Sequence, residues 1–171
     1  GGYDCNGTFY DNIMEGFIKI AESEGADIIV RATGDNPLMD PKIIDREIEH
    51  HIKSNADYTY AEGVPIGINS EVISLEAIKK ALKLVINPKE TEYMTWFFKD
   101  PVRFKVEMVP LTEEEKGDFR LTLDFEEDLI VIRKLYNELY KQGEAFSTKE
   151  VVKYLRENPD IASINKNRHQ I

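Results

Sequence analysis

The stretch that most limits what this chain can become is Asp27-Ile28-Ile29-Val30, followed at once by Arg31-Ala32-Thr33-Gly34-Asp35-Asn36-Pro37-Leu38-Met39-Asp40-Pro41. Its first four residues lie between turn formers and helix-like sequence, as a buried strand does. Pro41-Lys42-Ile43-Ile44 then opens a helical pattern. Asp35 therefore falls in a tight loop at the carboxyl end of a strand, where open α/β sheets bind ligands. Gly34 allows a turn or a close approach by a ligand. Pro37 keeps Asn36 extended, so the loop leaves the strand before coiling. A carboxylate here suits a hard cation such as Mg²⁺, which takes one or two carboxylates plus substrate phosphates. The competing reading is a capping turn in which Asp35 or Asp40 bonds nearby amides, and on the loop alone the two stand level.

Strand and helix signals alternate through the rest of the chain. Helical spacing over 8–24 puts Phe9, Ile13, Phe17 and Ile20 on one apolar stripe, with Asn6 or Thr8 as cap and Gly25 as stop. A second helix is predicted over 41–54, with Ile43, Ile44, Ile48 and Ile52 inward. His50 and His51 lie in it without a metal-ligand spacing and read as solvated. Strands are predicted over 57–60, 69–74, 104–109 and 120–124, the last ending in Asp124. Helices are predicted over 75–85, 89–98, 125–142 and 147–158, where Ser147 and Glu150 have capping-box spacing. The tail from Ile161 reads as polar and loose.

The chain has 171 residues, 42% hydrophobic and 32% charged, which is enough for one globular domain with a core. A net charge of −10 disfavours nucleic-acid binding, which needs a basic surface. Cys5 stands alone, so neither an intramolecular disulfide nor a cysteine zinc cluster can form, and a reducing cytoplasmic setting is expected. No apolar run approaches the roughly 18 residues of a membrane helix. The aromatic group Tyr93, Trp96, Phe97 and Phe98 exceeds what one short helix usually buries, so a homodimer is expected.

Asp35 and Asp124 share one context, each following a strand and preceding a loop and helix. If the strands are neighbours, the two acids converge on one Mg²⁺. Arg31 and Arg120, near the same strand ends, face either a phosphate or substrate carboxylate, or a salt bridge within the fold.

Four blocks carry a resemblance. Arg31 to Pro41 resembles the Arg-x-Thr-Gly-Asp-x-Pro-Leu-x-Asp-Pro signature of the spore-coat polysaccharide biosynthesis protein F family, which is grouped with the acylneuraminate cytidylyltransferases. Gly67-Ile68-Asn69-Ser70-Glu71-Val72 is similar to the family's Gly-Leu-Asp-x-Glu-Val. Glu90-Thr91-Glu92-Tyr93-Met94-Thr95 stands where that family has Arg-Glu-His-Val-Thr. Arg120 to Leu129 is similar to Arg-Leu-Thr-Val-Asp-x-x-Glu-Asp-Leu.

The resemblance implies an α/β nucleotide-diphospho-sugar transferase fold, a mixed sheet with helices on both faces. It implies attack of a sugar hydroxyl on the α-phosphate of CTP, releasing pyrophosphate, in polysaccharide or glycoconjugate synthesis. Asp35 and Asp124 would hold Mg²⁺, with Arg31 and Arg120 beside them. Thr33, Gly34, Asn36, Gly67, Asn69, Glu71 and Glu92 would line the substrate. Two departures stand out. The family opens with a strand and a Gly-rich loop bearing Arg and Lys, and no such segment is seen here, nor any phosphate-binding glycine motif. The expectation is a single α/β domain over 1–171, the C-terminal two-thirds of a cytidylyltransferase-like domain without its first βαβ unit, and slow or absent CTP turnover by this chain alone. The family's His and Asp are also replaced, by Tyr93 and Asn69. A nucleotide-sugar-dependent glycosyltransferase and a non-catalytic sugar-binding or dimerisation module remain open as alternatives.

Overall fold

A computed structural model of the chain describes residues 2–3, 9–10, 12–86 and 94–168. The element order is β1 (Gly2–Tyr3), β2 (Phe9–Tyr10), α1 (Ile13–Glu24), β3 (Ile28–Arg31), α2 (Pro41–Ser54), β4 (Tyr58–Ala61), β5 (Glu71–Ser74), α3 (Leu75–Leu82), α4 (Thr95–Phe98), β6 (Val106–Val109), α5 (Glu126–Leu139), α6 (Thr148–Glu157) and α7 (Pro159–Ala162). This is a mixed α/β chain, as the strand and helix signals predict. Its four-stranded sheet has the order β3-β5-β4-β6, and β5 pairs antiparallel with both β3 and β4. β1 and β2 form a separate antiparallel pair.

The chain divides into two compact units. The first comprises Gly1–Arg31, Glu47–Tyr60 and Glu71–Met108, and it holds nearly all of the four-stranded sheet. Its core gathers Met14 from α1, Tyr58 and Ile73 from the sheet, Ala77, Ile78 and Ala81 from α3, and Met94, Phe98 and Phe104. Phe98 stacks on Tyr58 with ring centroids 5.5 Å apart. The second unit comprises Ala32–Arg46, Ala61–Ser70 and Val109–Ile171. Its core is built on Ile43, Ile68 and Leu121, with Val131, Ile132 and Leu135 of α5 and Val151 and Leu155 of α6.

Several local expectations are corrected. α1 starts at Ile13, not residue 8, because Asn12 caps it by accepting from the Glu15 amide, and Phe9 lies in β2. The buried positions of α1 are Met14, Gly16 and Ala21, while Ile20 is exposed. In α2, Ile43, Glu47 and His51 are buried at a spacing of four, and Ile52 faces water. His51 is thus not solvated. One of its ring nitrogens lies 2.9 Å from the Thr59 hydroxyl, and burial pushes its pKa below the ordinary histidine value. The expected loose tail is corrected in its described part, where Ile161 lies in α7 and is buried and Asn165 is buried as well. The helix expected over 89–98 is seen as Thr95–Phe98, and its earlier part lies outside the described residues.

The predicted strand over 120–124 is only a single parallel bridge, between Ile66 and Arg120. The Ile66 amide donates to the Phe119 carbonyl and the Leu121 amide to that of Ile66. The ladder then stops because Gly67 turns away at φ 96°. The next amide of this edge, that of Leu123, donates instead to the Asp35 carbonyl at 2.8 Å.

Candidate functional site

The second unit brings Asp35 and Asp124 to one hydroxyl. Thr122 Oγ1 lies 3.4 Å from Asp35 Oδ2 and 3.3 Å from Asp124 Oδ2. A hydroxyl has a single hydrogen, so it serves these acceptors in turn. The backbone bond from Leu123 to Asp35 holds the two loops in this register. Asp35 itself is open to solvent.

Behind the acids stands a buried ion-pair network. Arg120, 7% exposed, donates Nε to Asp128 Oδ1 at 3.0 Å and Nη2 to Asp128 Oδ2 at 3.1 Å. The same Nη2 reaches Asp124 Oδ2 at 2.5 Å. Arg120 is therefore committed to the fold's own carboxylates, the salt-bridge alternative weighed for it. Asp128 sits in the first turn of α5 and accepts from the Asp124 and Phe125 amides at 3.0 Å each. Burial alone would raise the Asp128 pKa, but the donors from Arg120, Asn165 and these amides outweigh it and hold the carboxyl below its usual range.

Gly67 makes the approach of the loops possible. A Cβ there would stand 2.4 Å from the Leu121 carbonyl carbon and 2.4 Å from the Thr122 amide nitrogen. Asn69 Oδ1 accepts from the Gly67 amide at 3.4 Å and so belongs to this turn. Asp40 takes the capping role that the loop alone left open. It accepts from the Lys42 amide at 2.9 Å, and from the amide and hydroxyl of Thr148 at 2.8 Å each. Of the other loop residues, Gly34 is exposed, while Thr33 and Asn36 are half-buried.

In the first unit, Arg31 and Glu71 face each other in register across β3 and β5 and pair at 2.7 Å. Glu71 Oε1 also accepts from the Tyr58 hydroxyl at 2.5 Å. Burial, then the adjacent Glu71 charge, drives the Tyr58 pKa far above the ordinary tyrosine value. Glu92 lies outside the described residues.

Thr122, Asp128 and Asn165 escaped the sequence reading. Asp128 had a signal, since it lies three residues after the Phe125 cap of α5, where a carboxylate reaches back to the cap amide. Thr122 sits between Leu121 and Leu123 and looked like any polar strand position. Nothing local to Asn165 announced contacts 37 and 45 residues away.

The groups at Asp35 and Asp124 that could ligate a cation are oxygens, two carboxylates, a hydroxyl and a carbonyl, although Asp124 Oδ2 also accepts from Arg120 and the Asp35 carbonyl from the Leu123 amide. That is a hard set suited to Mg²⁺, which needs only one or two carboxylates when phosphates complete its shell. Among the described residues, no cluster of three or more His, Cys, Asp or Glu forms a self-sufficient metal cage. The residues present fit a metal that is shared with a phosphorylated ligand.

The structure resembles a cytidylyltransferase from Leptospira borgpetersenii with a TM-score of 0.81 at 22% identity, over 95% of this chain and 68% of that one. That likeness shows the fold, an α/β fold of the cytidylyltransferase kind. The sequence matches the cytidylyltransferase family over residues 8–153, and the chain belongs to that family. It is 32% identical over 163 residues to the uncharacterized protein MJ1063 of Methanocaldococcus jannaschii, covering 93% of this chain and 65% of that protein. It is 29% identical over 156 residues to the spore coat polysaccharide biosynthesis protein SpsF of Bacillus subtilis, covering 90% of this chain and 65% of that protein. The chain thus spans slightly under two-thirds of the length of these relatives. Among the described residues, no helix is long and apolar enough to cross a membrane.

Proposed function

We propose that this chain takes part in CTP-dependent nucleotidyl transfer to a sugar, in polysaccharide or glycoconjugate synthesis. In the reaction a sugar hydroxyl oxygen bonds to the α-phosphorus of CTP and gives up its proton to solvent. The bond from that phosphorus to the bridging oxygen breaks, and pyrophosphate leaves with its electron pair. The observation that carries the reading is the single Thr122 hydroxyl within reach of both Asp35 and Asp124, in a chain of this family. Asp35 and Asp124 would hold Mg²⁺, and when bound it supplies neutralisation of triphosphate charge and stabilises the leaving pyrophosphate. Thr122 lies within reach of both carboxylates and donates its one hydrogen to either of them. Arg120 fixes Asp124 and balances part of its charge before any ligand arrives.

Thr33, Gly34 and Asn36, in the Asp35 loop, and Gly67 and Asn69, in the turn packed on Thr122, are proposed as substrate contacts. Arg31, whose side chain is 25% exposed, is proposed to face a phosphate or the carboxylate of a substrate, and Glu71 to lie near the sugar, as the family resemblance implies. A cytoplasmic location and a homodimer belong to the same proposal.

The test is pyrophosphate release by the protein with CTP, Mg²⁺ and a panel of acidic sugars. Release that depends on both the sugar and Mg²⁺, and that falls by roughly 10²–10³ or more when Asp35 is replaced by Ala, supports the reading. Transfer from a preformed nucleotide sugar, with no pyrophosphate formed from CTP, would replace it with the glycosyltransferase alternative.

A further inference from the structure

Asn165 lies in the segment after α7, far in sequence from the acidic pair, yet it is 2% exposed. Its Nδ2 donates to the Arg120 carbonyl at 2.9 Å and to Asp128 Oδ1 at 2.8 Å. Both acceptors belong to the apparatus that holds Asp124. Asp128 aligns the Arg120 guanidinium through two bonds, and that guanidinium fixes the Asp124 carboxylate. The Arg120 carbonyl belongs to the backbone that leads directly into Thr122 and Asp124. A single side-chain amide therefore ties down both the backbone and the charge network on which the acidic pair rests. Arg168 adds to the same anchoring, since its guanidinium stacks 4.9 Å from the Phe125 ring and pairs with Glu127.

We propose that Asn165 is a positioning residue for the metal-binding acids, acting through Asp128, Arg120 and the 120–124 backbone. This rests on the reading of Asp35 and Asp124 as metal ligands. The side-chain NH₂ has two hydrogens for these two acceptors, and giving one to each limits its freedom to turn. Removing it leaves Asp128 and the Arg120 carbonyl each short of a donor, and the segment bearing Thr122 and Asp124 loses one of its anchors. Groups that orient metal ligands from behind typically matter about 10–100-fold in metal affinity.

The test is direct binding of Mn²⁺, as the paramagnetic stand-in for Mg²⁺, followed by electron paramagnetic resonance with CTP present. It compares wild type with Asp35→Asn, Asn165→Ala and Asn165→Ser, and thermal melts establish that each variant is folded. The expected result is Mn²⁺ affinity about tenfold weaker for Asn165→Ala, the low end of that range. Asn165→Ser keeps one hydroxyl donor, guards against a fold lost in the alanine variant, and should recover part of the affinity. Unchanged or tighter Mn²⁺ binding in a folded Asn165 variant, with Asp35→Asn still weakened, overturns the role of Asn165 and leaves the metal site standing. Wild-type binding that Asp35→Asn does not alter overturns the metal site and this inference together.

Discussion

At the scale of single residues, Gly67 shows how little room the candidate site leaves. Its φ of 96° lies in the left-handed region, and a Cβ would meet the Leu121–Thr122 peptide at 2.4 Å, where backbone cannot yield as a side-chain tip can. Gly67→Ala should cost about 1–3 kcal/mol in urea unfolding from backbone strain alone. Because the clash falls on the Thr122 amide, the same variant should also weaken metal-dependent nucleotide binding. A variant as stable and as competent as wild type would mean that the loop adapts freely and that the close approach has no role. The sequence offered Gly67 as part of a block resembling the family's, and could not say which backbone it packs against.

At the scale of elements, the start of α5 joins stability to the site. Asp128 is fully buried with Arg120, and breaking a buried pair by removing one partner typically costs about 3–5 kcal/mol. Asp128→Ala should show a loss of that order near neutral pH. Asp128 is held below its ordinary pKa in the folded chain, so its contribution is full above the unfolded value of about 3.9 and is lost as pH falls from there through the folded value. The stability gap between wild type and Asp128→Ala should therefore narrow in acid. A gap of constant size down to strongly acid pH would show that the Asp128 charge does not sustain the pair.

The elements themselves were largely legible in the sequence. The β3 strand, the acidic loop and the start of α2 came through intact, because a short apolar run, a Gly-Asp turn and a proline at the helix start each act locally. The capping box of Ser147 and Glu150 was legible for the same reason. Failures arose where partners are distant. The 120–124 segment has the alternation of a strand, yet its ladder is interrupted by Gly67 and by the Asp35 carbonyl. His51 read as solvated because it is polar and lacks a metal-ligand spacing, whereas a turn-by-turn spacing of four from Ile43 through Glu47 brings it inside.

At the scale of the whole molecule, the aromatic group expected at an interface separates by exposure. Phe98 is core, Phe97 packs against that core, and Trp96 is 79% exposed. Val102 is also almost fully exposed. A homodimer that uses this face predicts a dimer in sedimentation at micromolar concentration, and dissociation to monomers on Trp96→Ser with the fold unchanged. A dimer indifferent to Trp96 would place the contact elsewhere. Tyr93 lies outside the described residues and adds nothing to this assignment.

The central claim is that Asp35 and Asp124, both within reach of the Thr122 hydroxyl, receive a metal together with a nucleotide triphosphate. The most direct measurement is calorimetric titration of CTP into the chain with Mg²⁺ and again with excess chelator, for wild type and Asp35→Asn. The account predicts binding that requires Mg²⁺ and weakens at least about tenfold in Asp35→Asn, the range typical for loss of a charged partner. CTP affinity that survives both the chelator and the Asp35 substitution would contradict it.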